Sequence, residues 1–317
     1  PPPPPANASA AQARALLLLK AAIDKNGTLT AWRPGDEPCT WYGITCDDGG
    51  NVTAISLPGL ALDGALPLDA GVWRPLASLK SVDLSSNKLT GFVPPQLNAL
   101  KDAEIVSLMG NGLQGPLPGG LGSLPKLENL ILARNNLTGP LPADWGNATT
   151  LRVVDVSSNA LSGALPAGWA ALASLRLLNV SNNDLAGPLP PAWRPANGIG
   201  GMEALKEAAL GGNQGLCAKG GNKSEGFAAP DFYNPPCSPA GAVDAVPAKR
   251  AREPRLVDNQ GTSAGIDPNK LKQTESAEKG AKIAVLPPPP GTNATQGDAV
   301  INILPAGAAL PPGATPV

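Results

Sequence analysis

Five asparagines, Asn87, Asn111, Asn135, Asn159 and Asn183, stand 24 residues apart, and this period constrains the fold more tightly than anything else in the chain. The same frame surrounds each one: VDLSSNKLTGFVP, VSLMGNGLQGPLP, LILARNNLTGPLP, VDVSSNALSGALP and LNVSNNDLAGPLP. A degenerate copy, ISLPGLALDGALP (55–67), precedes them with Leu60 in the asparagine place, and AALGGNQGLC (208–217) follows after an insertion of six residues. A unit this short cannot bury its apolar side chains alone, so consecutive units must stack around a shared interior. The period predicts about seven coils over residues 52–211, each giving one short strand, such as Val82 to Leu84, to a parallel sheet. The repeated Asn is expected inside the turn, bonded to backbone of neighbouring coils, because an unpaired buried amide costs about 1–3 kcal/mol.

The period also disposes of a tempting motif. GNGLQG (110–115) has the G-x-G-x-x-G spacing of a phosphate-cradling turn. Yet Asn111 is the ladder residue, Leu113 a core residue and Gly115 the glycine of every copy, so these glycines turn a coil. Trp145, Trp169 and Trp193 keep the same period, in the phase occupied by Leu97 and Leu121 in earlier copies. They are therefore expected in the core and not as a sugar-stacking platform.

The frame resembles the plant-type leucine-rich repeat, LxxLxLxxNxLxGxLPxxL. The resemblance implies an α/β solenoid, a right-handed leucine-rich-repeat superhelix with a parallel sheet on its concave side. Solenoid ends need covers. Before the repeats, SAAQARALLLLKAAIDKNG (9–27) reads as a helix. Ser9 and Gln12 form a capping box, Leu16, Leu19 and Ile23 share one face, and Gly27 follows its end. Trp32 and CTWYGITC (39–46) come next. This block resembles the N-terminal cap of plant receptor-type ectodomains, and GNQGLCAKG…NPPCSP (212–239) resembles their C-terminal cap. The implied organisation is a proline-rich arm at 1–8, an N-terminal cap at 9–51, repeats at 52–211, a C-terminal cap at 212–239 and a tail at 240–317.

The four cysteines allow three pairings. The resemblance to capped ectodomains implies Cys39–Cys46 and Cys217–Cys237, worth roughly 2.5 and 3.3 kcal/mol as loop closures. Zinc is the rival use, but the spacing of Cys39 and Cys46 is unlike a metal knuckle. Disulfide caps imply an oxidising compartment. Eight N-x-S/T sequons accord with secretion: Asn7, Asn26, Asn51, Asn136, Asn147, Asn179, Asn222 and Asn293. Asn147, in the loop GNATTL, is the foremost acceptor candidate, whereas Asn179 is expected to point from a strand onto the concave face.

Composition narrows the chemistry. The chain has no histidine, which removes the commonest general base and metal ligand, and every Ser-His or Cys-His pair. With 24 basic and 25 acidic residues it has no general nucleic-acid signature, and KRAREPR (249–255) reads as a solvated tail segment. No apolar run approaches the roughly 20 residues that span a bilayer, so no direct membrane span is expected in this chain. Strand alternation puts Ser81, Asp83, Ile105, Ser107, Asn129, Ile131, Val153, Asp155 and Leu177 on the concave face, with Arg134 as its obvious cation. Asp83 and Asp155 lie three coils apart, about 14 Å at a strand spacing near 4.8 Å, beyond the reach of a glycosidase pair. Ile105, Ile131, Val153 and Leu177 make a diagonal apolar band, read either as an interface or as aliphatics covered locally.

Residues 240–317 lack aromatics and are rich in Ala, Pro, Gly and charge. Two apolar runs, KIAVLPPPP (282–290) and AVINILPAG (299–307), are expected as strands added to the solenoid or to a neighbouring copy. The polyproline at both ends resembles segments of hydroxyproline-rich wall glycoproteins. Taken together these features predict a non-catalytic secreted glycoprotein with no cofactor or metal. It would bind protein or glycan, or further copies of itself, as a scaffold in the extracellular matrix, cell wall or cell surface. Its alternatives are the ectodomain of a receptor or co-receptor, similar to the somatic-embryogenesis receptor type, and an inhibitor of secreted hydrolases similar to polygalacturonase-inhibiting proteins.

Overall fold

A computed structural model describes residues 9–193, Met202 and residues 204–217, with three short strands farther along the chain. The chain divides into two units, Pro1–Cys237 and Ser238–Val317.

The first unit is a solenoid. Its main sheet has eight strands: Ile44–Cys46, Val52–Ser56, Ser81–Asp83, Ile105–Ser107, Asn129–Ile131, Val153–Asp155, Leu177–Asn179 and Glu207–Ala209, each beside the next. The first pair is antiparallel and every later pair is parallel. The strands begin one residue earlier than the repeat frame suggests, at Ser81 and not Val82. Val82, Val106, Leu130, Val154 and Leu178, the central residue of successive strands, are all buried against the leucines of the turns. This alternation is what a three-residue strand with one wet face and one dry face requires.

The asparagine ladder closes each coil. Asn135 is representative: its amide donates to the carbonyls of Leu108, Leu132 and Ala133 and accepts from the Leu113 N–H at 3.1 Å. Asn111, Asn159 and Asn183 repeat this pattern, and Asn213 takes the same place in the last coil. The first coil, with Leu60 in place of Asn, borrows from the second, because Asn87 accepts from both Leu60 and Leu62 N–H at 3.0 Å. The residue before each ladder asparagine is left-handed: Ser86, Gly110, Arg134, Ser158, Asn182 and Gly212 have φ between 54° and 75°. That turn aims the following amide inward, at a cost of about 1–2 kcal/mol where the residue is not glycine.

A second parallel sheet, which strand alternation in the main frame does not reveal, runs along the other side of the turn. Its strands are Gln114–Pro116, Asn136–Gly139, Ala160–Gly163, Asp184–Pro188 and Gly215–Cys217, with a separate pair at Asp63–Ala65 and Lys88–Thr90. The repeated L-x-G-x-L-P segment forms it. Gly115 has φ 78°, and a Cβ there would lie 2.5 Å from the Phe92 ring. Short 3-10 helices complete the coils, and there Trp145, Trp169 and Trp193 stack with centroids 5.9 and 6.3 Å apart. Each is buried, and each indole N–H donates to a proline carbonyl of the preceding coil, Pro118, Pro142 or Pro166. They are core residues, as their phase with leucine predicts.

The N-terminal helix is Ala10–Ile23, with Leu16, Leu19 and Ile23 fully buried. Ser9 caps it by accepting from Gln12 N–H at 3.2 Å. The reciprocal half of the capping box does not form. Gln12 instead reaches into the solenoid, donating to Ser78 Oγ at 3.0 Å and accepting from Val52 N–H, since a buried amide on this face has better partners there. Trp32 and Trp41 stack at 5.2 Å, and Cys39 is bonded to Cys46. Cys237, and with it the Cys217–Cys237 pairing, lies outside the described residues.

In the second unit the two apolar runs pair with each other. Lys282–Leu286 pairs antiparallel with Val300–Leu304, Ala284 opposite Asn302, and its other edge pairs with Thr315–Pro316. Two apolar segments separated by a short polar stretch meet each other at smaller loop-closure cost than a distant sheet edge.

Candidate binding face

The concave sheet assembles the predicted residues into two rows. Register places Ser81, Ile105, Asn129, Val153 and Leu177 side by side, continuing to Ala54 and Glu207. The second row is Ser56, Asp83, Ser107, Ile131, Asp155, Asn179 and Ala209. Arg134 is exposed but lies in neither row: it occupies the left-handed turn before Asn135, close enough to Asp155 to act on its charge.

Of the two readings of the apolar band, burial favours aliphatics covered locally over most of its length. Ile105 is 5% exposed and Leu177 4%, while only Ile131 and Val153 retain partial exposure. At a strand spacing near 4.8 Å adjacent side chains touch, so the aliphatics are covered by their own row. Ser81, Ser107 and Asn129 are buried in the same way.

The polar residues of the second row are fastened to the following loop. Asp155 accepts from Ser157 N–H at 3.0 Å and Ser157 Oγ–H at 2.7 Å, and from Asn179 Nδ2 at 3.3 Å. Asn179 accepts from Ser181 N–H and Oγ–H, and Asp83 from Ser85 N–H. Asn179 therefore does lie on a concave strand but, at 5% exposure, is not available there. Burial pushes the carboxyls of Asp83 and Asp155 above the ordinary carboxylate range, against the lowering effect of these hydrogen bonds. The strands of Ser107 and Ile131 separate the two acids, so they share no proton or substrate atom. Among the described residues no group of three His, Cys, Asp or Glu side chains could hold a metal.

Strand alternation does not reveal one feature that flanks these rows. Lys80, Glu104, Glu128, Arg152, Arg176 and Lys206, each just before a strand, are tied into one file by backbone bonds such as Arg176 N–H to the Arg152 carbonyl at 2.8 Å. The file flanks the concave sheet, with acids in the middle coils and bases in the last three. Arg152 pairs with Glu128 at 3.3 Å. The 24-residue period carries the signal, one position before the strand, where charge alternation is easily mistaken for solvated surface.

Of the sequons, Asn26, Asn51, Asn136 and Asn147 are exposed, Asn51 with its amide on the Asp47 carboxylate at 3.1 Å. Asn7, Asn222 and Asn293 lie outside the described residues.

Comparison with known proteins agrees with this geometry. The leucine rich repeat N-terminal domain family matches residues 9–47, and leucine rich repeat families match residues 78–100 and 125–185. The Arabidopsis thaliana LRR receptor-like serine/threonine-protein kinase RGI3 is 36% identical over 94 residues, 29% of this chain and 8% of the kinase. Receptor-like protein 3 of Arabidopsis thaliana is 42% identical over 82 residues, 25% of this chain and 10% of that protein. The chain thus spans about a tenth of the length of these curated relatives. Among solved structures, the PEPR1–AtPEP1 crystal structure aligns with TM-score 0.56 and 26% identity over 65% of this chain and 28% of that one. Pollen Receptor Kinase 3 aligns with TM-score 0.56 and 27% identity over 64% of this chain and 95% of that one. No described helix is long and apolar enough to cross a membrane. The chain carries leucine-rich repeats and a leucine-rich-repeat N-terminal cap, built as an α/β solenoid and similar to those of plant receptor-like kinases and receptor-like proteins.

Proposed function

We propose that this protein is a non-catalytic binding ectodomain of receptor or co-receptor type, working outside the cell and taking a protein or peptide partner on its concave face. The observation that carries the reading is the second concave row. Its polar side chains are already fixed by Ser85, Ser157 and Ser181, so a partner meets a rigid surface with little ordering cost. The flanking file adds polarity: a partner complementary to it would present basic groups to Glu104 and Glu128 and acidic groups to the coils of Arg152, Arg176 and Lys206. The receptor reading is favoured over a matrix scaffold or a hydrolase inhibitor because the sequence relatives and the aligned structures are receptors. One of the aligned structures is that of PEPR1-AtPEP1, so a ligand of the AtPEP1 kind is the class to test first.

The test is a pairwise binding screen of the secreted full chain against purified plant receptor ectodomains and secreted peptides. A partner is expected whose affinity falls at least about tenfold, 1.4 kcal/mol, in Ile131→Arg and is unchanged in Thr138→Arg on the second sheet. Binding that ignores Ile131→Arg, or an empty screen, would count against the proposal.

A further inference from the structure

The second sheet offers an inference about modification that the sequons alone do not give. Asn136 opens the strand Asn136–Gly139, in which exposure alternates: Asn136 and Thr138 face out and Leu137 is buried. The acceptor amide and the sequon hydroxyl therefore project from one face. Asn136 sits beside Gln114, and Thr138 lies between Pro116 and Ala160, and all three neighbours are exposed. The Asn136 side chain has no hydrogen-bond partner among the described residues, while its backbone N–H is anchored to the Leu113 carbonyl at 2.7 Å. Asn147 and Thr149 are likewise both exposed, at the end of the short helix Ala143–Asn147.

Asn179 is the opposite case. It is 5% exposed, its Nδ2 donates to Asp155, and its Oδ1 accepts from the hydroxyl of Ser181, the third residue of its own sequon. A sugar on Nδ2 would break the bond to Asp155 and need room that the concave row does not have.

We infer that Asn136 and Asn147 are N-glycan acceptors and that Asn179 is not, so that the outer face of the second sheet is sugar-covered and the concave face stays bare. The sequon distribution thereby selects the docking surface: a branched glycan rooted at Asn136 closes the strands Gln114–Pro116 to Ala160–Gly163 to protein partners. The inference rests on the extracellular reading, since only a secreted chain meets the transferase.

The experiment supplies a heterologous signal peptide, so that acceptor geometry is tested apart from native localisation. The full chain is secreted from eukaryotic cells, its monodisperse fraction is isolated, and glycans are released in heavy-oxygen water to mark occupied asparagines by mass spectrometry. Label is expected at Asn136 and Asn147, with Asn179 recovered unlabelled. Thr138→Val, which leaves the Asn136 amide intact, should lose the mass of one glycan with an unchanged melting temperature. Label at Asn179 in folded monomer, or an unlabelled Asn136 beside a labelled Asn147, overturns the inference. Glycan-free protein from the native tissue, with the forced-secretion pattern as expected, would instead refute the extracellular reading.

Discussion

Asn135 and Asn136 are adjacent, chemically identical and oppositely placed, which makes them a controlled test of the ladder. Asn135 is 6% exposed and makes four hydrogen bonds to backbone in two coils, its own and the preceding one, whereas Asn136 is exposed on the second sheet. At about 1 kcal/mol net for each bond, Asn135→Ala should cost about 4 kcal/mol. The buried Leu113 N–H left without an acceptor accounts for about 1–3 kcal/mol of that sum. Asn135→Asp keeps the acceptor but loses the donors and sets a carboxylate against the carbonyls of Leu108, Leu132 and Ala133, so it should be no better than alanine. Asn136→Ala should stay within about 0.5 kcal/mol of wild type. Urea unfolding of unglycosylated protein, followed by tryptophan fluorescence, reads all three. If Asn135→Ala cost less than about 1 kcal/mol, or matched Asn136→Ala, the ladder would not be what holds the coils in register.

Other expectations follow from the same packing. Because burial raises the carboxyls of Asp83 and Asp155, the native state holds their protons more readily than the unfolded chain. Their contribution is full below the ordinary carboxylate range and is lost as pH rises through the raised values. Asp155→Asn, which copies the residue already present at Asn179, should flatten that decline and raise the neutral-pH melting temperature. A lower melting temperature would count against it. Cys39→Ser should cost about 2.5 kcal/mol through its short loop and loosen the cap, seen as faster hydrogen exchange in Ala10–Ile23. Gly146→Ala places a Cβ 2.5 Å from the Gly168 carbonyl oxygen of the next coil and should cost about 1–3 kcal/mol, read by thermal melting.

The repeat frame carried most of this architecture because each of its positions has one physical duty. The period set the strand register, the phase of Trp145 with Leu121 announced a core residue, and the asparagines declared the ladder. The second sheet was not legible, since its strands contain Gly and Pro, which argue against a strand until neighbouring coils supply the partners. Gln12 illustrates another limit: its local role was evident beside Ser9, but its partners, Ser78 and Val52, are set by how the cap seats on the first coils. On the concave sheet, alternation shows which residues stand side by side and does not show their exposure. Whether Ile105 and Leu177 reach solvent depends on side chains a whole coil away, and the charged file from Lys80 to Lys206 lies outside the alternation altogether. The tail runs were apolar enough to need partners, but composition does not choose between a distant edge and a near one.

The most direct test of the concave-face account is hydrogen exchange of the secreted chain with and without the partner found by screening. Slowed exchange is predicted in the strands Ser81–Asp83, Ile105–Ser107, Asn129–Ile131, Val153–Asp155 and Leu177–Asn179 and in the loops that follow them. Protection confined to Gln114–Pro116, Asn136–Gly139 and Ala160–Gly163 would place the partner on the second sheet and contradict it.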